Sequence, residues 1–318
     1  MTFPITTQSC CFTHLADWTA TINAAWKRRW GPTTNPGFCF RGADNSSFDL
    51  NPSLLRQPYP TDLAALAICE NNLWTEFRLR SRPLLGRQVR DAWEALLIMQ
   101  QHGFPTRLLD WTRSLAVAAH FAVRDLDSSA DGAIWMMAGI HLMELRGSRG
   151  AWRTAIGDPA LDPMALRENA DDLDAFCRQL PVPLSPDHLV PRIAAQRSVY
   201  TLHSFARDAL ERLAESDLKQ HGDACFLHKI TIPVSCKGAF RHELPVVAGV
   251  SEETLFPDLD GFARDFAAEW KTISAESSED RPHPQHLFEH PPVRHRFPAP
   301  SRTRRSASDR NGPEREET

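Results

Sequence analysis

Residues 100–114 read QQHGFPTRLLDWTRS and connect two apolar helical patterns through a short extended segment that is dense in polar side chains. The helix before it is predicted to end at Gly103, because glycine readily terminates helices, and Pro105 stiffens the connection. Ser114 is suited to cap the helix that follows. Polar groups this dense are costly to bury unless they hydrogen-bond to one another, so the segment either stabilises the core or lines a cleft.

Individual residues of this segment are predicted to have different roles. Arg107 and Asp110 are interpreted as a structural ion pair, since their opposite charges lie close together on the same short segment. His102, Thr106 and Thr112 are interpreted as ligand contacts, because imidazole and hydroxyl groups can hydrogen-bond to a polar ligand.

A second polar segment, FRGADNSSFDLNPSLLR at residues 40–56, begins within a short predicted strand. Its Arg41 leaves the strand and is followed by Gly42, Asp44 and Asn45, an arrangement that can direct a guanidinium group at an anion. A structural salt bridge beneath a turn is the alternative for Arg41, and these residues alone leave both interpretations open.

A third polar segment, RIAAQRSVYTLHS at residues 192–204, is predicted to be extended over 196–203. Because side chains alternate along a strand, Gln196 is expected on the face opposite to Arg197 and His203. A glutamine at the start of a strand can hydrogen-bond a sugar hydroxyl group, and solvation at the surface is an equally simple explanation.

The chain alternates helical and strand patterns without internal repeats or regular βαβ order, which favours an α+β fold. Helices are predicted at about 13–30, 61–77, 88–101, 115–121, 206–215 and 258–271. Strands are predicted at about 37–42, 133–137, 196–203 and 225–232. Residues 141–190, rich in Pro, Asp and Arg, are interpreted as an irregular insertion with one short helix near 171–180.

The 318-residue chain is 42% hydrophobic and 24% charged, a composition that excludes collagen-like and wholly disordered proteins. No apolar run could cross a bilayer and the start shows no secretory signal, so a cytoplasmic protein without a membrane partner is expected. The net charge of −4 provides no sequence-wide field for a polyanion. One domain is predicted over 10–273, and the Pro- and Arg-rich residues 276–318 are predicted to be a disordered tail.

The pattern of cysteine and histidine gives little support to disulfide or metal chemistry. The seven cysteines are an odd number and contain no CxxC pair, so neither a disulfide framework nor a zinc site is expected. The 13 histidines contain no HExxH motif or metal-type cluster. Glycine-rich phosphate loops, Walker motifs and GxSxG elbows are absent from the sequence as well.

Several short motifs together resemble the FRG domain family, which is named after its Phe-Arg-Gly. These motifs are FCFRG at 38–42, NPSLLR at 51–56, QHGFPTRLLDWT at 101–112, DGAIWM at 131–136, AAQRSVYTLH at 194–203 and LFPDLDGFA at 255–263. The resemblance covers about residues 15–270. Its most specific part is TRLLDWT, because a string of this length rarely coincides by chance.

The FRG family is remotely similar to the ADP-ribosyltransferase fold, which implies a split β-sandwich or mixed sheet with flanking helices around an NAD cleft. By order along the chain, the resemblance implies that Arg41 holds the NAD ribose or phosphate and that Thr106–Thr112 supports the nicotinamide side. Gln196 falls where that fold has a glutamate, so Glu243 and Glu76 become candidates for the acid. The site residues expected on this basis are Arg41, Gln196 and Glu243 for catalysis and Arg41, Gly42, His102, Thr106, Arg107 and Thr112 for NAD binding.

Cleavage of the nicotinamide–ribose bond builds positive charge on the ribose, which a carboxylate stabilises and a glutamine cannot. Three hypotheses therefore stay open. The first is a transferase that spends NAD to modify a macromolecule, as a toxin or phage-defence effector does. The others are a nucleotide- or nucleic-acid-binding module without turnover and an interaction domain. The first implies NAD as substrate, no metal, a protein or nucleic-acid acceptor, and a cognate inhibitor or regulator.

Overall fold

The structure is a computed structural model that describes residues 7–56, 58–145, 153–154, 181–186 and 191–277. Two compact units divide the chain, Met1–Glu269 and Trp270–Thr318. The first unit contains a mixed sheet with helices, which confirms the α+β prediction. Of the second unit, the structure describes residues 270–277, which are helical. None of the described helices combines the length and the apolar character needed to cross a membrane.

The strands in chain order are β1 Thr7–Gln8, β2 Phe38–Ala43, β3 Leu108–Thr112, β4 Gly132–Ala138, β5 Arg153–Thr154, β6 Val182–Ser185, β7 Ser198–Leu202 and β8 Leu227–Ile232. The described α-helices are α1 Phe12–Trp30, α2 Leu63–Leu85, α3 Ala92–Gln101, α4 Leu115–Ala122, α5 Gly139–Leu145, α6 Pro191–Ala195, α7 Ala209–His221, α8 Val234–Ala248, α9 Glu252–Leu255 and α10 Leu259–Ser277. Short 3₁₀ turns lie at Ser53–Leu55 and Gly222–Ala224.

The sheet has the strand order β1-β8-β4-β2-β3-β7-β6-β5. Its inner pairs are antiparallel, and the parallel pairs β1–β8 and β5–β6 lie at its two edges. Strands β2 and β4 pair along all of β2, whereas β2 and β3 share the single pair Phe40–Thr112. The sheet therefore consists of two halves that separate on either side of this pair.

Helix α4 packs against β2 and β4 at a distance that only glycine allows. A Cβ atom on Gly42 would lie 1.9 Å from the carbonyl oxygen of Ala118, and one on Gly132 would lie 2.2 Å from the carbonyl oxygen of Ala122. Alanines and a valine of α4 are buried in the main core cluster, together with Trp26 of α1. The small residues of α4 and the two strand glycines thus place this helix directly on the sheet.

Several predicted boundaries differ from the structure. The segment 141–190 is not uniformly irregular, because it contains the end of α5 and all of β6, while the helix predicted near 171–180 lies outside the described residues. Strand β7 begins at Ser198 rather than at Gln196, since Arg197 has a φ of 48° and interrupts the extended backbone. Gln196 therefore lies in the turn after α6, and the predicted alternation of faces does not apply to it.

The expectation that the cysteines form no disulfide is wrong for one pair. Cys10, next to β1, and Cys236, on α8, form a disulfide with their Cα atoms 5.0 Å apart. The pair is separated by 226 positions, and only the tertiary fold brings such residues together. Among the other cysteines, Cys39 and Cys225 are buried and Cys11 is exposed.

Replacing Gly42 with alanine is expected to lower the free energy of unfolding by roughly 1–3 kcal/mol or more, because the new Cβ would overlap the α4 backbone. Gly238 is the matched control, since it lies inside α8 with no atom near the position of an added Cβ. Gly238→Ala should stabilise the protein by up to about 1 kcal/mol through its higher helix propensity. Urea denaturation of both variants measures the difference, and equal midpoints would contradict the packing argument.

Candidate functional site

A cavity of about 380 Å³ opens where β2 and β3 separate. Its wall includes Arg41 and Gly42 of β2, Asp110 and Thr112 of β3, and Gln196 after α6. The remaining lining residues are Phe40, Gln100, Gln101, Gly103, Trp111, Phe121, Arg124, Arg192, Ser198 and Phe256. The predicted site residues Arg41, Gly42, Thr112 and Gln196 are therefore brought together, although three separate polar segments supply them.

Arg41 spans the gap between the two halves of the sheet. Its Nη1 donates a hydrogen bond of 2.9 Å to the main-chain oxygen of Asp110 on β3. Burial lowers the pKa of Arg41 to about 10, against the opposing attraction of the Asp110 carboxylate, and the nearby Arg56 lowers it further. The guanidinium group remains charged at neutral pH. Its observed hydrogen-bond acceptor is an uncharged carbonyl oxygen, so this bond does not neutralise the charge.

Asp110 is the only carboxylate among the described residues that line the cavity. Both of its carboxylate oxygens accept hydrogen bonds from Nε2 of Gln100, at 3.0 and 2.9 Å. The side chain is exposed, whereas the neighbouring residues of β3 are buried. Asp110 and Thr112 are two residues apart on a strand, so alternation along β3 was the sequence signal that could have found Asp110 as a site residue.

The predicted pair of Arg107 with Asp110 is wrong, because Arg107 turns into the core. Its side chain is 1% exposed, and its Nε lies 2.7 Å from Oε1 of Glu70. Nη1 also donates to the main-chain oxygen of His203 at 2.8 Å. Burial, together with the charges of Arg107 and Arg41, lowers the pKa of His203 to about 3, so this imidazole is neutral. Arg107 therefore belongs to the core and does not line the cavity.

Thr112 and Gln196 fix the rim of the cavity through hydrogen bonds to the main chain. The hydroxyl of Thr112 donates to the main-chain oxygen of Gln196 at 2.7 Å and accepts from the amide of Ser114 at 3.0 Å. Nε2 of Gln196 donates to the main-chain oxygen of Leu255 in α9 at 3.2 Å. The Gln196 amide is thus oriented by the fold beside the cavity.

An aromatic and cationic wall closes the side of the cavity near α9. The guanidinium groups of Arg124, Arg192 and Arg264 lie 5.1, 5.3 and 4.8 Å from the ring centre of Phe256. Phe121 meets the same ring edge-on, with the ring centres 6.3 Å apart. Phe256, Phe121, Arg124 and Arg192 line the cavity. Arg192 and Phe256 lie in segments that the sequence analysis singled out, but none of the four residues was predicted to belong to the site.

The buried carboxylate of Glu252 holds two of these arginines in place. Its carboxylate is 2% exposed and accepts from Arg124 Nε, Arg264 Nε and His120 Nε2, at 2.8, 2.8 and 3.0 Å. Burial alone would raise the pKa of Glu252, but the hydrogen bond with His120 and the charges of the arginines outweigh it and lower the pKa to about 2. Arg192 is paired separately, with its Nε 2.9 Å from Oδ2 of Asp258.

The structure does not bring His102, Thr106, Glu243 or Glu76 into the cavity. His102 is exposed at the end of α3, while Thr106 is buried and hydrogen-bonds to Gln100 and to the amide of Leu108. Oε2 of Glu243 accepts from the amide of Phe12 at the start of α1, at 3.1 Å. Glu76 forms an exposed ion pair with Arg80 on α2.

A second hollow, of about 560 Å³, lies between α1 and the loop before β2. Its polar wall includes Lys27, Asn23 and Thr19, and the described residues that line it contain no carboxylate and a single cationic side chain. The cavity between β2 and β3 is the better candidate site although it is smaller than this hollow, because charged, amide and aromatic groups converge there.

The low pKa of Glu252 predicts how stability depends on pH. A carboxyl group whose pKa falls from 4.5 to about 2 on folding stabilises the protein above pH 4.5, and this contribution disappears as the pH falls towards 2. The free energy of unfolding of Glu252→Gln should therefore be lower than that of the wild type by about 3 kcal/mol at pH 6, with the difference shrinking below pH 4.5. Denaturant titrations between pH 3 and 7 measure it, with the exposed neighbour Glu253→Gln as control. A difference independent of pH would contradict the assignment.

Comparison with known proteins identifies one segment of the chain. No curated protein and no solved structure matches the chain. Residues 36–131 match the family model of the FRG domain. This segment contains β2, α2, α3, β3 and α4, and with them Arg41, Asp110 and Thr112 of the cavity. The match supports the assignment of this segment to the FRG family.

Proposed function

We propose that the cavity binds NAD and that the protein transfers the ADP-ribosyl group of NAD to a macromolecule. The observation that carries the proposal is the meeting of Arg41, Asp110 and Gln196 with an aromatic wall in one cavity of about 380 Å³. Such a set offers a cation for phosphate, a carboxylate for a developing ribosyl cation and a flat apolar surface for a base. The separation of the two half-sheets is compatible with the split sheet of the ADP-ribosyltransferase fold.

Arg41 is the residue best suited to bind the pyrophosphate. Arg124 shares the Glu252 carboxylate with Arg264, and Arg192 is paired with Asp258. The hydrogen bond of Arg41 instead ends on the main-chain oxygen of Asp110, and Arg41 lines the cavity. A planar guanidinium group can bind phosphate oxygens through two parallel hydrogen bonds.

The aromatic wall is suited to one of the planar rings of NAD. Phe121 and Phe256 line the cavity and meet edge-on, and the arginines around Phe256 fix that ring in place. A nicotinamide or adenine ring can pack on such a wall, since aromatic contacts combine a large buried area with defined geometry. The amide of Gln196, oriented by Leu255, would hydrogen-bond the adjacent ribose.

Asp110 takes the role of the acid in this proposal, instead of Glu243. The bond between C1′ of the ribose and the nicotinamide nitrogen breaks, the electron pair leaves with nicotinamide, and positive charge develops on the ribose. A carboxylate fixed beside that charge stabilises the transition state more than the ground state. An acceptor nucleophile then forms its bond to C1′ and releases its proton to water. Gln100 holds the Asp110 carboxylate in a defined orientation for this step.

Nucleotide binding without turnover is the second candidate function. The observation that favours it is that the two carboxylate oxygens of Asp110 are already engaged by Gln100. Gln196, which by order along the chain would correspond to the glutamate of the transferase fold, cannot supply the negative charge. In the transferase proposal, the acceptor of the ADP-ribosyl group is a protein or a nucleic acid. The biological role to test is that of a toxin or phage-defence effector, which a cognate inhibitor would restrain.

Asp110→Asn is expected to reduce the rate constant for nicotinamide release from NAD by about 100-fold, with little change in KM, because the lost charge acts mainly in the transition state. The assay measures nicotinamide release by the purified protein with and without cell lysate, and transfer of labelled ADP-ribose to macromolecules. Asp17→Asn, on the exposed face of α1, is the matched control. Saturable NAD binding without nicotinamide release would favour the second candidate, and absence of NAD binding would contradict the transferase proposal.

Arg41→Lys is expected to weaken NAD binding about tenfold or more, because lysine offers a point charge without the planar donor pair. Arg197→Lys is the matched control, since Arg197 is exposed and does not line the cavity. Isothermal titration with NAD measures affinity, and thermal melting of the same samples measures stability. A lower melting temperature with unchanged NAD affinity would show that Arg41 only joins the two half-sheets.

A further inference from the structure

A cluster of potential metal ligands, formed by residues of α5 and α7, lies apart from the cavity. His141 belongs to α5, and Asp217 and His221 occupy positions i and i+4 of α7. The rings of Trp26 and Trp30 lie against His141, and Trp30 also contacts His221. None of these residues lines the cavity, so their role is independent of the proposed function.

The donor atoms of this cluster are already close to a coordination geometry. Nε2 of His141 lies 3.1 Å from Oδ1 of Asp217, and Nε2 of His221 lies 3.7 Å from the same oxygen. The three groups offer ligand atoms that all lie within 4.8 Å of one another. Around a tetrahedral Zn²⁺ with bonds of about 2.0–2.1 Å, adjacent donor atoms are separated by about 3.3 Å. Small side-chain shifts therefore suffice to surround an ion.

The surrounding contacts resemble those that orient metal ligands in proteins. Nδ1 of His141 lies 3.1 Å from Oε2 of Glu144, which holds the ring with Nε2 turned towards Asp217. The second carboxylate oxygen of Asp217 accepts from the amide of Phe226 at 2.7 Å and leaves Oδ1 facing the histidines. A carboxylate behind a histidine fixes its tautomer and raises its basicity as a ligand.

The ion pair between His141 and Asp217 does not account for the buried position of His221. Its side chain is 7% exposed, and its Nδ1 finds no hydrogen-bond partner in the described part of the chain. Its Nε2, at 3.7 Å from Asp217, is too far for a hydrogen bond. A charged His141 between Asp217 and Glu144 would satisfy those three groups and still leave a buried imidazole unpaired. A metal ion bound at Nε2 of His221 would give that nitrogen a partner.

We propose that His141, Asp217 and His221 bind a divalent transition-metal ion, with Zn²⁺ as the expected ion. Two imidazole nitrogens and one carboxylate oxygen are a donor set that Zn²⁺ uses readily, and it is unsuited to Ca²⁺ or Mg²⁺, which prefer oxygen ligands. The ion would join α5 to α7 and stabilise the fold. Glu144, whose side chain is 59% exposed, marks the side on which the cluster approaches solvent.

The test is a titration of the full chain, after treatment with a chelator, with Co²⁺ as a spectroscopic probe. We expect one equivalent to bind with visible d–d absorption, to be displaced by Zn²⁺, and to raise the melting temperature. His221→Gln and Asp217→Asn should weaken Co²⁺ binding at least about tenfold. His242→Gln, at an exposed position of α8, should bind Co²⁺ as the wild type does.

Three results would overturn the proposal. The first is that the wild type fails to bind Co²⁺ or Zn²⁺ at tenfold excess. The second is that His221→Gln and Asp217→Asn bind as tightly as the wild type. The third is an intense thiolate charge-transfer band, which would place the metal on cysteine. Because a variant can fail to fold, the wild type is also titrated with Zn²⁺ by NMR, where only the ring signals of His141 and His221 should respond as ligands.

Discussion

The architecture depends on the way the two half-sheets are joined. Between β2 and β3 there is one residue pair, Phe40–Thr112, and beyond it the strands separate. The guanidinium group of Arg41 takes over where main-chain pairing stops and donates to the main-chain oxygen of Asp110. The Arg41 side chain takes the place of a main-chain hydrogen bond between the strands, so the carbonyl group of Asp110 keeps a hydrogen-bond partner. The strands can therefore diverge, and the cavity lies where they do so.

Each residue of the Phe-Arg-Gly triplet has a separate physical role at this junction. Phe40 is buried in the main core and pairs with Thr112, which fixes the register between the halves. Arg41 links β2 to β3 through its hydrogen bond to the main-chain oxygen of Asp110. Gly42 allows α4 to contact β2 without a Cβ atom between them. A larger residue at position 42 would push α4 away from the sheet, and Phe121 of α4 would leave the cavity wall with it.

Local patterns predicted most of the longer helices and strands but not the 15-residue helix α8, and the three polar segments suggested that Arg41, Thr112 and Gln196 meet. The positions that sequence reasoning missed depend on long-range contacts. Arg107 looked like a partner of Asp110 because they are neighbours in sequence, yet Glu70 on α2 is closer in space. The disulfide of Cys10 with Cys236 likewise joins residues that are 226 positions apart in the sequence. Spacing along the chain carries no information about such pairs.

Charge pairing around the cavity separates the residues that shape it from those available to a ligand. Glu252 is paired with both Arg124 and Arg264, and Asp258 is paired with Arg192, so two carboxylates offset part of the repulsion among the three guanidinium groups around Phe256. Arg41 instead donates to a carbonyl, and Asp110 accepts from an amide. The two side chains lie on opposite sides of the gap between β2 and β3, a cation on one strand and a carboxylate on the other. A ligand with an anionic part and a part that becomes positive during reaction matches this separation of charge better than a simple anion does.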